Sequence, residues 1–389
     1  MRRLLLLAAA SAAVACAGAQ EKETLTELRD RVFEVAQAQA VYMDSLLPEG
    51  RCPRTFQGDT LVTSDIGWWT SGFYPGVLWQ IYGETADTVF RGLAVKHTLP
   101  LAGLLERETD HDIGFQLMSS FGRWFFIDFF DPREEDVLPP LEIKGILEKG
   151  AAKLAARFDP ATGVIRSWNW GAWNFPVIID NMMNLELLMD YGDREIAEKH
   201  ALTTAQNHFR EDGTAWHLVD YADDGTILGR QTVQGYADDT AWARGQAWAL
   251  YGYAMMAEYS QGNPLYLRTA RKLADWILKH LPEDGIPYWD FSQTDYKDAS
   301  AGAIIACGLL KLWRLQGSPA DDPALATAKR ILRTLASPEY LAEPGTNGGF
   351  LLKHGVGNIP GNSEVDVPLT YADYYFLEAL SLLPPKRRI

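Results

Sequence analysis

Two aspartates stand where a carboxyl has no evident structural reason to be. Asp180 follows Val177, Ile178 and Ile179 and precedes Asn181, Met182 and Met183, in a run that otherwise reads as a buried helix. Surroundings that dry disfavour the ionised carboxylate and raise its pKa, which suits the group to hand over or take up a proton during a reaction. Asp112 opens the run HDIGF at the head of the preceding enclosed helix, with His111 beside it. Two carboxyls on neighbouring helices are the equipment of glycoside hydrolysis, one holding a proton while the other assists. The same pair also fits as helix N-caps, whose side-chain oxygens satisfy free N–H groups of the first turn. The residues alone leave both readings open.

Other polar heads recur in front of apolar helices: Asp65 with Trp68 and Trp69, Asp238 and Asp239 with Trp242 and Arg244, Asp298 with Ser300, and Asp366 with Thr370. Asp239, Asp298, Ser300 and Asp366 are expected as caps or network residues. Tryptophans 68, 69, 168, 170, 173, 216, 242 and 248 cluster near these heads. Flat rings bury apolar area against sugar faces, so acids among tryptophans point toward carbohydrate chemistry. Metal and cofactor signatures are missing: there is no HExxH, no paired CxxC, no phosphate-binding GxxxxGK[ST] and no GxGxxG after a strand. No cofactor and no metal is expected.

The elements that must position these residues fall into two kinds. Charged amphipathic stretches such as YLRTARKLADWILKHL have one wet face and suit an outer layer. Stretches such as IDNMMNLELLMDYG and ARGQAWALYGYAMMAEY are apolar nearly all round and rich in glycine and alanine, so they need enclosure by other helices. Six of each, alternating, describe an all-α (α/α)6 barrel with an inner and an outer ring. Its inner helices start at one end, which would gather the polar heads around one mouth. Between Gly213 and Gln234, short alternating runs around a glycine-bearing turn predict a small β-hairpin at the rim.

At 389 residues and 47% hydrophobic, the chain has material for one large core, read as a single domain over residues 20–389. Residues 1–19 carry two arginines, a short apolar run and small residues, the layout of a signal peptide, with a periplasmic or secreted product. Cys16 after small residues gives the alternative of a lipid-anchored form. Cys52 and Cys307 are too few and too far apart for a disulfide framework. A net charge of −15 repels nucleic acid, and no later segment is apolar and long enough to span a membrane. Composition leaves the oligomeric state open.

From Trp69 to Leu380 the chain resembles the unsaturated glucuronyl hydrolases of glycoside hydrolase family 88, through WWTSGFYPGVLW, HDIGF, IIDNMMNLELL, WHLVDY, QGYADDTAWARGQAWALYGY and NSEVDVPLTYADYYFLEAL. The resemblance implies an (α/α)6 barrel that needs no cofactor and acts on oligosaccharides released by polysaccharide lyases, of glycosaminoglycan or ulvan type. It implies that Asp180 protonates C4 of a terminal 4,5-unsaturated uronic acid and activates the water that adds at C5, and that Asp112 is the second essential acid. Trp69, His217, Gln234, Arg244 and Trp248 match substrate-pocket positions, and His111 and Trp242 among the polar heads join them as expected substrate-binding residues. Arg244 would meet either the uronate carboxylate or a pocket acid. Val233 departs from the pattern, since many relatives carry histidine there. The alternatives are an unsaturated rhamnogalacturonyl hydrolase on the same barrel and a non-catalytic periplasmic oligosaccharide-binding protein.

Overall fold

The computed structural model describes residues 23–130 and 138–383, so the expected signal segment and Cys16 lie outside the described residues. The outer helices are α1 (Leu25–Leu46), α3 (Thr88–Thr98), α6 (Pro140–Ala155), α8 (Arg194–Asn207), α10 (Pro264–His280) and α12 (Pro323–Leu335). Five of them begin with a side chain that closes the first turn: Thr24, Asp87, Asp193, Asn263 and Asp322 each accept a backbone N–H. The inner elements are α2 (Phe73–Thr85), α4 (Ile113–Leu117) continuing through a π turn at Met118–Gly122 into α5 (Arg123–Phe130), α7 (Asn181–Tyr191), α9 (Ala243–Tyr259), α11 (Ala299–Leu315) and α13 (Thr370–Leu382).

Each inner helix touches the next, from α2 through α4–α5, α7, α9, α11 and α13 back to α2, which closes the ring of the (α/α)6 barrel. Enclosure is close to complete. Every residue of α9 from Ala243 to Ala257 is buried, as the all-round apolar pattern requires. The heads of the inner helices meet at one end: Trp69 packs on Tyr371, Phe115 on Trp248, and Arg244 reaches Asp298. Their tails meet at the other, around a cavity of about 730 Å³ lined by Glu186, Tyr251, Glu258, Lys311 and Glu378. No motif or pattern in the chain pointed to that hollow.

Strands are more numerous than the one expected hairpin. β1 (Cys52–Gln57) pairs with β2 (Thr60–Ser64), β3 (Phe158–Asp159) with β4 (Val164–Ile165), and β8 (Gly355–Asn358) with β9 (Ser363–Val367). The expected hairpin is present as β6 (Leu218–Tyr221) and β7 (Ile227–Gln231), but β5 (Pro176–Ile178) adds a third strand to it. Strands of two to six residues show too little alternation to be read from sequence. The added strand matters for the site. β5 runs straight toward α7, and Ile179 N donates to His217 O at 2.9 Å, which sets Asp180 and His217 side by side. Along the sheet, Val177 and Val219 face Trp216 on one side, while Ile178 and Leu218 face Trp168, Trp173 and Val233 on the other.

Between α4 and α7 the backbones approach so closely that a Cβ on Gly114 would stand 2.5 Å from Asn184 Oδ1 and 2.6 Å from its Cα. Gly114→Ala should therefore force the two acid-bearing helices apart, costing about 1–3 kcal/mol as overpacking does. Thermal denaturation should show the lowered midpoint together with a loss of turnover larger than the lost stability explains. A variant with unchanged midpoint and activity would show that this contact does not hold the helices.

Candidate active site

Asp112 and Asp180 occupy the positions just before α4 and α7, yet neither side chain makes a capping bond. The backbone explains why. Both residues already have helical angles, φ −71°, ψ −2° and φ −54°, ψ −29°, whereas a capping side chain folds back from an extended backbone. Asp298 has that extended geometry and accepts from Ser300 N at 3.0 Å and Ser300 Oγ at 2.6 Å. Asp298 and Ser300 thus form the expected cap. Asp366 caps nothing and instead pairs with His354 at 2.7 Å.

Asp180 is 9% exposed and its Oδ2 has no hydrogen-bond partner among the described residues. Burial pushes its pKa up to about 7; Arg244 draws it down and the charge of Asp112 raises it further. The Trp248 indole N–H also favours the carboxylate, although its geometry falls short of a formed hydrogen bond. His217 Nε2 stands 3.8 Å from Asp180 Oδ2. On the other side of the ring, Nδ1 accepts from Val233 N at 3.0 Å and Gln234 N at 3.3 Å. That arrangement places the proton of the neutral ring on Nε2, aimed at Asp180. Burial drives the His217 pKa down to about 3, with Arg244 adding to it, so the ring stays neutral.

Asp112 keeps 17% of its side-chain surface open. Burial again pushes its pKa to about 7, restrained by Asn184 and Arg157. Asn184 joins the two helices: its Oδ1 accepts Phe115 N at 2.7 Å and its Nδ2 reaches Asp112 Oδ1 at 3.4 Å. Asn181 turns away and donates to Ile165 O at 2.7 Å. His111 is buried beside Asp112, its Nε2 3.5 Å from Oδ1, and burial lowers its pKa to about 4.

Of the remaining expected residues, Trp242 lies between His217, at 4.4 Å between ring centroids, and the Arg244 guanidinium, at 4.6 Å. Trp248 is fully buried beneath Phe115, and Trp69 packs on Phe73, Phe115 and Tyr371. Arg244 takes the second of its two expected roles. It donates to Asp298 Oδ2 at 3.2 Å, Gln234 Oε1 and Gly357 O at 2.6 Å each, and Val356 O. Gln234 therefore spends its carbonyl on Arg244. Trp216 does not join the others: it lies on the far face of the sheet, under the Arg210 guanidinium.

Sequence reading missed Asp110 and Arg157. Asp110 Oδ1 accepts Asp112 N at 2.9 Å, and burial with the Asp112 charge raises its pKa to about 6. Arg157 donates to Thr109 O, Arg166 O, Ser167 O and Asn169 Oδ1 at 2.8–3.2 Å, stitching the Asp110–Asp112 segment to the tryptophan loop that follows. The acid-His-acid run DHD was a usable signal for Asp110. Arg157 had none, because it ends an ordinary surface helix. The site as a whole offers a half-dry proton carrier, a second acid across from it, fixed neutral imidazoles and aromatic walls, an arrangement fit for protonating a sugar-derived group.

No protein-family model matches the chain. An unsaturated glucuronyl hydrolase of Formosa agariphila is 40% identical over 328 residues, 80% of this chain and 79% of that protein. An unsaturated glucuronyl hydrolase of Bacillus sp. strain GL1 is 31% identical over 362 residues, 85% of this chain and 90% of that one. A crystal structure of an unsaturated glucuronyl hydrolase specific for heparin superposes with a TM-score of 0.85 at 39% identity, covering 92% of this chain and 96% of the other.

A carboxyl whose pKa is raised from 3.8 to about 7 on folding favours the unfolded chain as pH rises between those values, because the unfolded state gives up its proton first. Asp180→Asn removes that penalty while keeping the shape. Its melting midpoint should equal the wild type near pH 4, exceed it increasingly toward pH 7 and hold a constant lead above. Calorimetry across that range measures it, and a lead independent of pH would contradict the burial argument.

Proposed function

The chain belongs to the unsaturated glucuronyl hydrolase family, and from that premise we propose that Asp180 and Asp112 are the acids with which it works. The enzyme is a glycoside hydrolase that removes the non-reducing-end 4,5-unsaturated uronic acid from lyase-generated oligosaccharides. One observation carries the assignment: two carboxyls at the heads of adjacent inner helices, neither capping, with the drier one facing the N–H of a neutral histidine.

In the substrate ring C4=C5 is a vinyl ether. The protonated Asp180 gives its hydrogen to C4, which leaves positive charge at C5 shared with the ring oxygen. The carboxylate so formed is stabilised by the His217 Nε2–H and the Trp248 indole N–H beside it. It then takes a proton from water as the oxygen of that water bonds to C5, restoring the acid. The hemiketal opens and the glycosidic bond breaks without displacement at C1. Asp112, oriented by Asn184 and more open than Asp180, holds sugar hydroxyls. Trp69, His111 and Trp242 wall the pocket, and Gln234 with Arg244 fixes the wall between α9 and the β8–β9 hairpin.

HDIGF, together with relatives named as glucuronyl hydrolases at 40 and 31% identity, favours this substrate over an unsaturated rhamnogalacturonate. The heparin-specific neighbour supports a glycosaminoglycan source over ulvan. The N-terminal segment supports an exported enzyme, working where lyase products appear.

Incubation with unsaturated disaccharides from heparin, chondroitin, hyaluronan and ulvan, followed by ultraviolet absorbance of the conjugated carboxylate, tests the reading. Wild-type protein should bleach at least one of them, and Asp180→Asn should lower kcat by about 10²–10⁴-fold, the span general acid–base catalysis supplies. Normal turnover in a folded Asp180→Asn protein would overturn the assignment. In the wild type, kcat should decline as pH passes about 7, where Asp180 loses the proton it donates.

A further inference from the structure

The loop between β4 and β5 carries three tryptophans that the chemistry above does not use. Trp168 is buried beside His111, with ring centroids 6.5 Å apart. Trp170 lies parallel on Trp168, at 4.7 Å and 13°, and is 62% exposed. Trp173 meets both edge-on, at 5.7 and 6.4 Å. One face of the Trp170 ring is therefore covered by Trp168 and the other is left to solvent.

A single exposed aromatic residue on a protein surface is ordinary. This one is held in place by the whole loop. Arg166 donates to Trp168 O at 3.1 Å and Asn174 O at 2.6 Å, and Arg157 reaches Asn169 Oδ1 at 3.2 Å. Asp220 accepts the N–H groups of Asn174 and Phe175, at 3.2 and 2.8 Å. Trp173 Nε1 is tied to Gln231 Oε1 at 3.0 Å. Gly171 has φ +91°, and a Cβ there would meet the Trp173 ring at 2.6 Å, so only glycine lets the loop fold Trp173 back as a brace. Val233 joins Trp168, Ile178 and Leu218 in the apolar patch beneath. The result is a flat, half-wet face joined through Trp168 and His111 to the neighbourhood of Asp112, with much of its ordering cost already met before any ligand arrives.

From this geometry we propose that Trp170 is a specificity-determining residue, forming an outer subsite that stacks the sugar beyond the leaving-group residue, so that the enzyme favours unsaturated tri- and tetrasaccharides over disaccharides. The occupant is the third ring of the substrate chain. A sugar at that distance from the double bond takes no part in the chemistry, and its binding is felt only when it is present. The inference rests on the hydrolase reading, and substrate length separates the two.

The test compares kcat/KM for an unsaturated disaccharide and the unsaturated tetrasaccharide of the same polymer in wild type, Trp170→Ala and Trp170→Phe. The ratio of tetrasaccharide to disaccharide kcat/KM should fall about 3- to 10-fold in Trp170→Ala, the range an aromatic stacking contact provides. Trp170→Phe should recover most of it, and the loss should appear in KM with kcat kept. An unchanged ratio, or equal losses on both substrates, would overturn the subsite. If wild type bleaches no unsaturated sugar of any length, the hydrolase reading fails first. The subsite is then judged by quenching of tryptophan fluorescence with the tetrasaccharide, which must weaken in Trp170→Ala to keep it.

Discussion

A carboxyl that is to hold a proton near neutrality has to be kept from any cation that would strip it, and that constraint shapes the head of this barrel. Arg244 is the cation in question, buried within the same wall as Asp180. Left with free donors, its guanidinium would pair with Asp180 and fix it as a carboxylate. The fold engages four of its five N–H groups elsewhere: Asp298, Gln234 and two carbonyls of the β8–β9 hairpin take those of the two terminal nitrogens. The cap of α11 is thus also a tether, since Asp298 holds Ser300 with one oxygen and Arg244 with the other. Gln234 and Arg244 serve the chemistry by what they are prevented from doing.

The two acids share an elevated pKa but differ in company. Asp180 sits among β5, Met182, Met183 and Trp248, facing an imidazole whose protonation is fixed by backbone N–H groups. Asp112 has Asp110, Asn184 and the more distant charge of Arg157 around it, and more of its surface is open. Dryness with only the loosely placed N–H groups of His217 and Trp248 beside it suits a group that cycles between acid and base. An anchored, wetter carboxyl suits one that binds hydroxyls.

Much of this was legible in the chain before its fold was seen. Twelve helical units of two kinds could be read because α9 and α11 have no wet face and α10 and α12 have a pronounced one, a difference that comes only from periodicity. The isolation of Asp180 among Val, Ile and Met pointed to burial, and burial to a raised pKa. Whether Asp112 and Asp180 were caps was not legible, because that turns on a few tens of degrees of backbone rotation at one residue. Partnerships across long separations were equally hidden: Arg244 meets Val356 and Gly357, more than a hundred residues on. β5 is three residues long, too short for any pattern, although it aims the main acid. Trp216 shows the converse error, since its type suggested the mouth while strand alternation sent it to the opposite face.

The π turn at Met118–Gly122 lies in the one inner helix that carries Asp112 at its head. Ser119 and Ser120 bond back to the carbonyls of Phe115 and Gln116 there, easing a turn that is one residue too wide. An extra residue swings everything after it by about 100° around the axis, so Phe121 and Trp124 point where their neighbours in a regular helix would not. Such a turn holds one more residue than a regular α-helical turn without breaking the helix. A helix of the same length without that turn would present a different set of side chains to the core beyond Arg123, so the buried face of α5 is set by the turn as well as by the apolar pattern.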